Sequence, residues 1–378
     1  MDLNRAGYKR LGDYIREVDV RNRDLEVTKL MGINIGKYFM PSVANVIGTD
    51  LSNYKIVGKG QFACNLMHVG RDEKIPISLL DTNERIIVSP AYWVFEVSDT
   101  TQLVPDYLML WFRRNEFDRN AWFYTDSDVR GGMSKEALMD MTLPIPPIEQ
   151  QQKIVSEYEA ITRRIRLNEQ IIAKLEETAQ TLYRKMFVDG IDKEHLPEGW
   201  RMGTLGEVAD YVSEKRNISS FSERTYISTE NMLKNKKGII FALSLPSTGK
   251  GTVFQKEDIL VSNIRPYFKK IWKATFEGCC SNDVLCLRVR KNFDSHLLYY
   301  AIERDVFFDY VMAGSNGVKM PRGDKEWIMK YPLVIPNEQS LDYFNQKAHA
   351  IDILKMCKRQ ENNQLIELQS LLLAKMGQ

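Results

Sequence analysis

The chain carries one pattern twice, and that duplication limits what it can fold into. The stretch Leu143-Pro144-Ile145-Pro146-Pro147-Ile148-Glu149-Gln150 recurs as Leu333-Val334-Ile335-Pro336-Asn337-Glu338-Gln339. Each copy leads into a long charged segment with helical periodicity. Each follows about 140 residues of mixed helix and strand pattern. A chain built this way holds two similar modules at a fixed separation, an arrangement suited to recognition more than to chemistry.

The long segments read as helices. From Ile154 the apolar positions step by four and three through Tyr158, Ile161, Ile165, Ile172, Leu175, Ala179, Leu182 and Met186, which predicts a coiled-coil seam. A helix lying on a globular core also shows an apolar stripe, but this one persists for more than four heptads. Asn168 interrupts it at the middle, and a lone seam asparagine fixes register at some cost in stability. Its replacement by leucine is therefore expected to stabilise the pair and loosen the register. The second seam is predicted through Phe344, Ile351, Leu354, Leu365, Leu368 and Leu372, broken at Lys358 and Glu361. Each helix has ~38 residues and spans roughly 57 Å. Two equal modules, each beginning where the other's helix ends, are naturally related by a pseudo-twofold axis, and the helices then run antiparallel.

The expected fold is α+β: two α/β domains related by pseudo-twofold symmetry and separated by two long antiparallel coiled-coil helices. The segments are 1–147, 148–190, 191–335 and 336–378. Within the domains, Arg85-Ile86-Ile87-Val88-Ser89 aligns with the strand-like run at 283–289. Helices are predicted over 105–117 and 295–308, and a strand pair at 258–262 and 268–272. A glycine-rich basic turn follows each helix: Arg130-Gly131-Gly132-Met133-Ser134-Lys135 and Gly314-Ser315-Asn316-Gly317-Val318-Lys319-Met320-Pro321-Arg322.

Hydrophobic content of 44% and charge of 27% are those of folded protein. Net charge is only +2, yet residues 201–273 hold 13 Lys and Arg against 7 Asp and Glu, a surplus able to hold phosphates. Five scattered cysteines and four histidines, without a Cys-x-x-Cys pair, argue against zinc and disulfides and fit a reducing cytosol. No metal site is expected. The charged start Met1-Asp2-Leu3-Asn4-Arg5 does not read as a signal peptide, and no apolar run approaches the ~18 residues of a membrane span, so a cytoplasmic location without membrane contact is expected.

Catalytic signatures are missing. There is no phosphate loop, no Gly-x-Gly-x-x-Gly and no Asn/Asp-Pro-Pro-Tyr/Phe, and Asp72-Glu73-Lys74 is a common tripeptide. No catalytic residue is assigned. What the chain offers is side chains of the types that can read nucleic acid. Arginine and asparagine pair bidentately with guanine and adenine edges, and glycine lets backbone approach a ligand closely. The candidates in the first half are Lys59, Gln61, Arg71, Tyr92, Arg130, Ser134 and Lys135. Those in the second are Lys215, Arg216, Asn217, Lys250, Asn263, Arg265, Tyr267, Lys269, Ser315, Asn316, Lys319 and Arg322.

Leu196-Pro197-Glu198-Gly199-Trp200, followed by Leu205-Gly206-Glu207, resembles the opening of a target-recognition domain. Ile145-Pro146-Pro147-Ile148-Glu149-Gln150-Gln151-Gln152-Lys153-Ile154 resembles the junction into a helical spacer. In ordered duplicate they resemble the specificity subunit of type I restriction-modification enzymes over essentially the whole chain. The first half departs by opening at Gly7-Tyr8, and the second junction has a single proline. The resemblance implies two target-recognition domains, each reading half of a bipartite site in double-stranded DNA. It implies antiparallel helices that set the gap, and two modification subunits that bind S-adenosylmethionine and methylate adenine. It also implies ATP-dependent restriction subunits that use Mg, with no cofactor on this chain. At 3.4 Å per base pair, the helices match a target of roughly ten to twenty base pairs. A coiled-coil adaptor that binds only proteins is the competing expectation, and a self-sufficient nuclease or methyltransferase is a third.

Overall fold

The computed structural model describes residues 7–43, 48–67, 69–125 and 131–377. The chain divides into two compact units. One is Met1–Asn168 with Gln360–Gln378, and the other is Glu169–Arg359. Each holds one β-rich domain and parts of both long helices, Ile148–Phe187 and Glu338–Lys375.

The duplication extends to topology. Each domain opens with a strand that pairs antiparallel with the strand leading into a long helix. These are Tyr8–Arg10 with Thr142–Pro144, and Arg201–Thr204 with Pro332–Ile335. Each has an antiparallel four-stranded sheet of the same order: Ile15–Glu17, Trp93–Val97, Gln61–Cys64 and Ile77–Leu79 in the first, Ala209–Tyr211, Val284–Val289, Ile259–Ser262 and Ile271–Lys273 in the second. From the helices onward the copies keep step. Elements begin at 105 and 295, 115 and 305, 135 and 325, 142 and 332, and 148 and 338, a constant 190 residues apart. Before that point they drift, with the matching strands beginning at 15 and 209, 61 and 259, and 93 and 284.

Two expectations change. The equivalent of Val284–Val289 is Trp93–Val97. Ile86–Val88 instead pairs with Lys55–Val57 in a separate ribbon. Each predicted domain helix is two helices: Pro105–Phe112 then Asn115–Phe123, and Ser295–Ile302 then Asp305–Ala313. The break falls at Arg114 and Arg304, whose extended backbones start the second helix. Both helices of each pair bury aromatics, including Phe112 and Phe117 in one copy and Tyr300 and Phe307 in the other.

In the first long helix Ile154, Tyr158, Ile161, Ile165, Asn168, Ile172, Leu175, Ala179, Leu182 and Met186 all lie on the covered side. In the second the covered stripe is Phe344, Ala348, Ile351, Lys355, Lys358, Asn362, Leu365, Gln369 and Leu372. It is an unbroken heptad in which several positions are polar. Leu354 (51% exposed) and Leu368 (45%) were expected in the seam but lie outside it, one residue out of phase. Ile351, Leu365 and Leu372 stay within it.

The segments run antiparallel within each unit. In the first, Gln369 donates to Thr162 at 2.7 Å, Arg164 pairs with Glu361, and Asn168 Nδ2 donates to Asn362 Oδ1 at 2.9 Å. In the second, Glu176 meets Arg359 at 3.2 Å and Lys355 at 3.4 Å, while Tyr183 and Phe187 pack on Phe344. The partner of Asn168 is thus Asn362, not Lys358 or Glu361. Both amides are buried, and Asn168 Oδ1 has no hydrogen-bond partner among the described residues.

Each domain is fastened to a long helix by a buried polar anchor, and the two anchors differ. Gln151 is fully buried in the first unit. Its Oε1 accepts from Val104 N at 2.9 Å, and its Nε2 donates to the carbonyls of Gln102 and Pro146, both at 2.8 Å. In the second unit the anchor is ionic. Asp352 takes Lys273 Nζ at 2.5 Å and His296 Nε2 at 3.1 Å, and His296 Nδ1 meets Asp294. Burial pulls the His296 pKa down, but the hydrogen bonds to Asp294 and Asp352 outweigh it and hold the imidazole above its ordinary value. Burial likewise pushes Asp352 up, yet His296 and Lys273 hold it well below the usual carboxylate range.

Two predictions follow from these contacts. The Asn362 partner reverses the stabilisation expected for leucine at 168: Asn168→Leu alone strands the Asn362 amide in the seam and is expected to cost about 1–3 kcal/mol. The double variant N168L/N362L is expected to be more stable than wild type, and thermal melts order the three proteins. For the ionic anchor, a histidine held above its ordinary pKa contributes stability that is complete below pH ~6.5 and fades as pH rises through the raised value. The Asp352 contribution is present above pH ~4 and is lost only in acid. The wild-type melting temperature should therefore fall between pH 6 and pH 8.5, and His296→Gln should flatten that fall. Equal slopes in the two proteins would remove the network as its source.

Candidate nucleic-acid interface

The second domain gathers its polar groups where the central strand Ile259–Ser262 ends. All four residues of that strand are buried, and the chain then turns sharply through residues 263–270. Pro266–Phe268 forms a single 3-10 turn flanked by Arg265 (φ 51°, ψ 63°) and Lys269 (φ 51°, ψ 51°), both left-handed. A second turn crosses it, with Asn235 at φ 56° and Lys236 at φ 61°. Asn235 N donates to Phe268 O at 2.9 Å and Lys236 N to Lys269 O at 2.8 Å, so each turn holds the other in place. Left-handed non-glycine residues cost on the order of 1 kcal/mol each, and surrounding contacts must impose them.

The glycine-rich turn lies against this loop. Ser315–Asn316 and Arg322–Gly323 form a two-stranded hairpin. Arg265 N donates to Pro321 O at 2.8 Å, and Gly323 N to Asn263 O at 3.3 Å. A Cβ on Gly323 would come within 2.8 Å of Asn263 Oδ1 and of Val311 Cγ1, so any larger residue must push these side chains aside for the hairpin to close. Asn282 and Asp283 then tie in the third cluster. Asn282 Oδ1 accepts from Lys215 Nζ at 2.8 Å, Asp283 O accepts from Asn263 N at 2.8 Å, and Asp283 Oδ1 pairs with Arg322 at 3.1 Å. Lys250 is the cross-strand neighbour of Asn217. Three groups far apart in sequence thus share one rim.

Local pairing sorts the candidates. Among the described residues, no hydrogen bond ties the exposed side chains of Asn217, Lys250, Asn316 or Lys319. Tyr267 is 46% exposed and packs edge-on against Phe268 at 4.7 Å. Several others are already engaged. Arg216 forks onto Glu214, Ser315 Oγ donates to Met312 O, and Lys269 shares Asp305 with Lys236. Those two lysines hold the Asp305 carboxyl below its usual range. Lys234 sits 4.1 Å from the Phe268 ring centre, a cation–π contact. Burial first, and then the charge of Lys234, lower the Lys270 pKa. Below the sheet, Arg288 forks onto the buried Asp258 at 2.8 and 2.6 Å. Burial pushes the thiols of Cys279 up to about 11 and of Cys280 up to about 12, so both stay protonated core groups.

The first domain repeats the scaffold with fewer free groups. Asn65 follows Gln61–Cys64 as Asn263 follows Ile259–Ser262, and Met133 N donates to Leu66 O at 2.9 Å where Gly323 N meets Asn263 O. Several expected readers already have partners within the domain. Gln61 Oε1 accepts from Gly58 N at 2.7 Å and its Nε2 donates to Glu96 at 2.9 Å, and it lies with Lys59 at the opposite end of the strand from Asn65. Ser134 caps helix Lys135–Asp140 by accepting from Ala137 N, Lys135 pairs with Glu17, and the Tyr92 hydroxyl accepts from Ile33 N. Arg130 and the side chain of Arg71 lie outside the described residues. Sequence reasoning missed Asn65, the Asn282–Asp283 turn, the lysine turn at 234–237 and the exposed Trp122, Phe123 and Tyr124. The equivalent position of Asn65, the Lys-Asn-Lys-Lys run and the aromatic triplet were all visible in the sequence. The role of Asn282–Asp283 exists only in the fold.

Residues 74–177 match the family model of the type I restriction modification DNA specificity domain. The chain is 23% identical over 144 residues to the type I restriction enzyme EcoDI specificity subunit of Escherichia coli, covering 37% of this chain and 32% of that protein. It is 26% identical over 188 residues to the HindI specificity subunit of Haemophilus influenzae, covering 47% and 40%. It thus spans less than half the length of either curated relative. Two solved chains share the fold. One comes from work on complex assembly and conformational transition of the type I R-M system (TM-score 0.53, 18% identity, 99% and 98% coverage), and the other is the type I S subunit of M. genitalium (TM-score 0.54, 13% identity, 100% and 98% coverage). Over the residues matched, the chain is similar to type I restriction-modification specificity subunits.

Gly323→Ala is expected to push the hairpin off the Asn263 loop and to cost about 1–3 kcal/mol, the scale of forcing a methyl into a packed site. A melting temperature equal to wild type would mean that the hairpin is not seated as described.

Proposed function

We propose that this chain is the non-catalytic DNA-reading subunit of a type I restriction-modification complex. Each β-rich domain reads one half of a bipartite duplex target. The long helices set the unspecified gap between the halves. Two modification subunits carry S-adenosylmethionine and methylate adenine, and restriction subunits supply ATP- and Mg-dependent cleavage. The observation that carries this reading is the rim of the second domain, where Lys215, Lys250, Asn263, Arg265 and Arg322 converge around Asn282–Asp283. Cations there suit phosphates, and the arginine and asparagine suit base edges.

Apolar groups left exposed on the second long helix support docking of partner subunits. Ile353, Leu354, Met356, Ile366, Leu368 and Leu371 are each at least 44% exposed. A protein-only adaptor would also use such a face, and DNA binding separates the two readings.

The test is a duplex-binding titration across salt, using the chain assembled with its modification subunits. Sequence-dependent binding that weakens steeply with salt is expected. Replacing Lys215 and Lys250 together with alanine should weaken binding to all sequences alike and lower the log–log salt slope by roughly two, about one per lost phosphate contact. Binding blind to sequence and salt, in wild type and variant alike, would leave the adaptor reading standing.

A further inference from the structure

The unusual features of the second domain concentrate in one loop. Among the described residues, eight non-glycine residues adopt positive φ, and four of them (Asn235, Lys236, Arg265 and Lys269) belong to the two crossing turns. Among the described residues, seven buried side-chain polar atoms lack a hydrogen-bond partner, and three of these, Asn263 Oδ1, Arg265 Nε and Ser281 Oγ, are in or beside the same rim. Strain and unmet hydrogen bonding in one place are the marks of a site held ready for a ligand. Both orphan-bearing readers sit on backbone fixed from two sides, by Pro321 O on Arg265 N and by Asp283 O on Asn263 N. Lys269, in contrast, is engaged with Asp305.

We propose that loop 263–270 is the base-reading element of the second domain, with the Arg265 guanidinium and the Asn263 carboxamide as its specificity-determining groups, while Lys215 and Lys250 hold backbone phosphates. This rests on the DNA-reading function proposed above and divides its labour. An arginine fork recognises the O6 and N7 of guanine, and a carboxamide recognises the N6 and N7 of adenine, both in the major groove. A turn whose backbone is already set presents these groups at low ordering cost. Tyr267, at the tip between the two left-handed residues, offers an exposed ring to the same groove.

The left-handed backbone supplies a clean variant. Glycine adopts the Arg265 conformation without strain, so Arg265→Gly removes the guanidinium and leaves the turn intact. The full chain, assembled with its modification subunits, is given duplexes randomised one position at a time, and the methylated sequences are read. Arg265→Gly should relax preference at one or two base pairs of a single half-site, by about ten- to a hundredfold, with the other half-site unchanged. Asn263→Ala should relax a neighbouring position. The melting temperature of Arg265→Gly should equal or exceed that of wild type. If both variants lose affinity evenly at every position, the loop holds phosphates, and this division of labour falls while DNA reading stands. A lowered melting temperature for Arg265→Gly would make the guanidinium a brace for the loop and overturn the assignment. If these variants and the Lys215/Lys250 double variant all bind and methylate as wild type, the DNA-reading function falls with it.

Discussion

A forty-residue helix with one apolar stripe does not stay folded in water on propensity alone. Each long helix here is stabilised by covering its stripe, and in each unit the cover is a length of the other helix together with the end of a β-rich domain. Tyr183 and Phe187 show the arrangement. They lie in the first long helix, pack against Phe344 of the second, and belong to the same apolar core as Leu297 and Tyr300. Ile154 and Tyr158 do the same for the first domain, with Leu373 and Met376 from the other helix. Helix pairing and domain docking are therefore one packing event. The domain strands, the helices at 105–123 and 295–313, and the rims they position all depend on it.

The seam also shows how register is kept. Apolar side chains slide past one another at little cost, whereas a buried amide pair does not. The Asn168–Asn362 hydrogen bond adds little stability of its own, but a slipped register would strand two amides without partners. Near it, Arg164–Glu361 in one unit and Arg359–Glu176 in the other set charges that also match only one alignment. Polar groups thus fix the alignment of a seam that apolar groups hold together.

How much of this was legible depended on whether a residue's role is local. The duplication was plain because the junction motifs recur at a constant distance. The first seam was plain because its heptad positions are apolar except Asn168. The second was misread at Leu354 and Leu368 because Lys355, Lys358, Asn362 and Gln369 occupy covered positions, and following apolar residues alone slips the phase by one. At the rim, residue type pointed to Asn263, Arg265 and Arg322, which the fold brings together. Gln61, Ser134 and Lys135 are instead already engaged by Glu96, Ala137 and Glu17. Nothing in the sequence marks Asn282–Asp283 as a junction, since its contacts come from segments 20 to 67 residues away.

The two copies keep step from residue 105 onward and drift before it. What stays in step is the frame: the paired domain helices, the closing strand and the long helix. What drifts is the stretch of loops and short strands that contributes most of the rim. Insertions and deletions there change the rim without shifting the helical frame by a single residue. The architecture therefore separates the make-up of the rim from the phase of the helices, and each is free to vary alone.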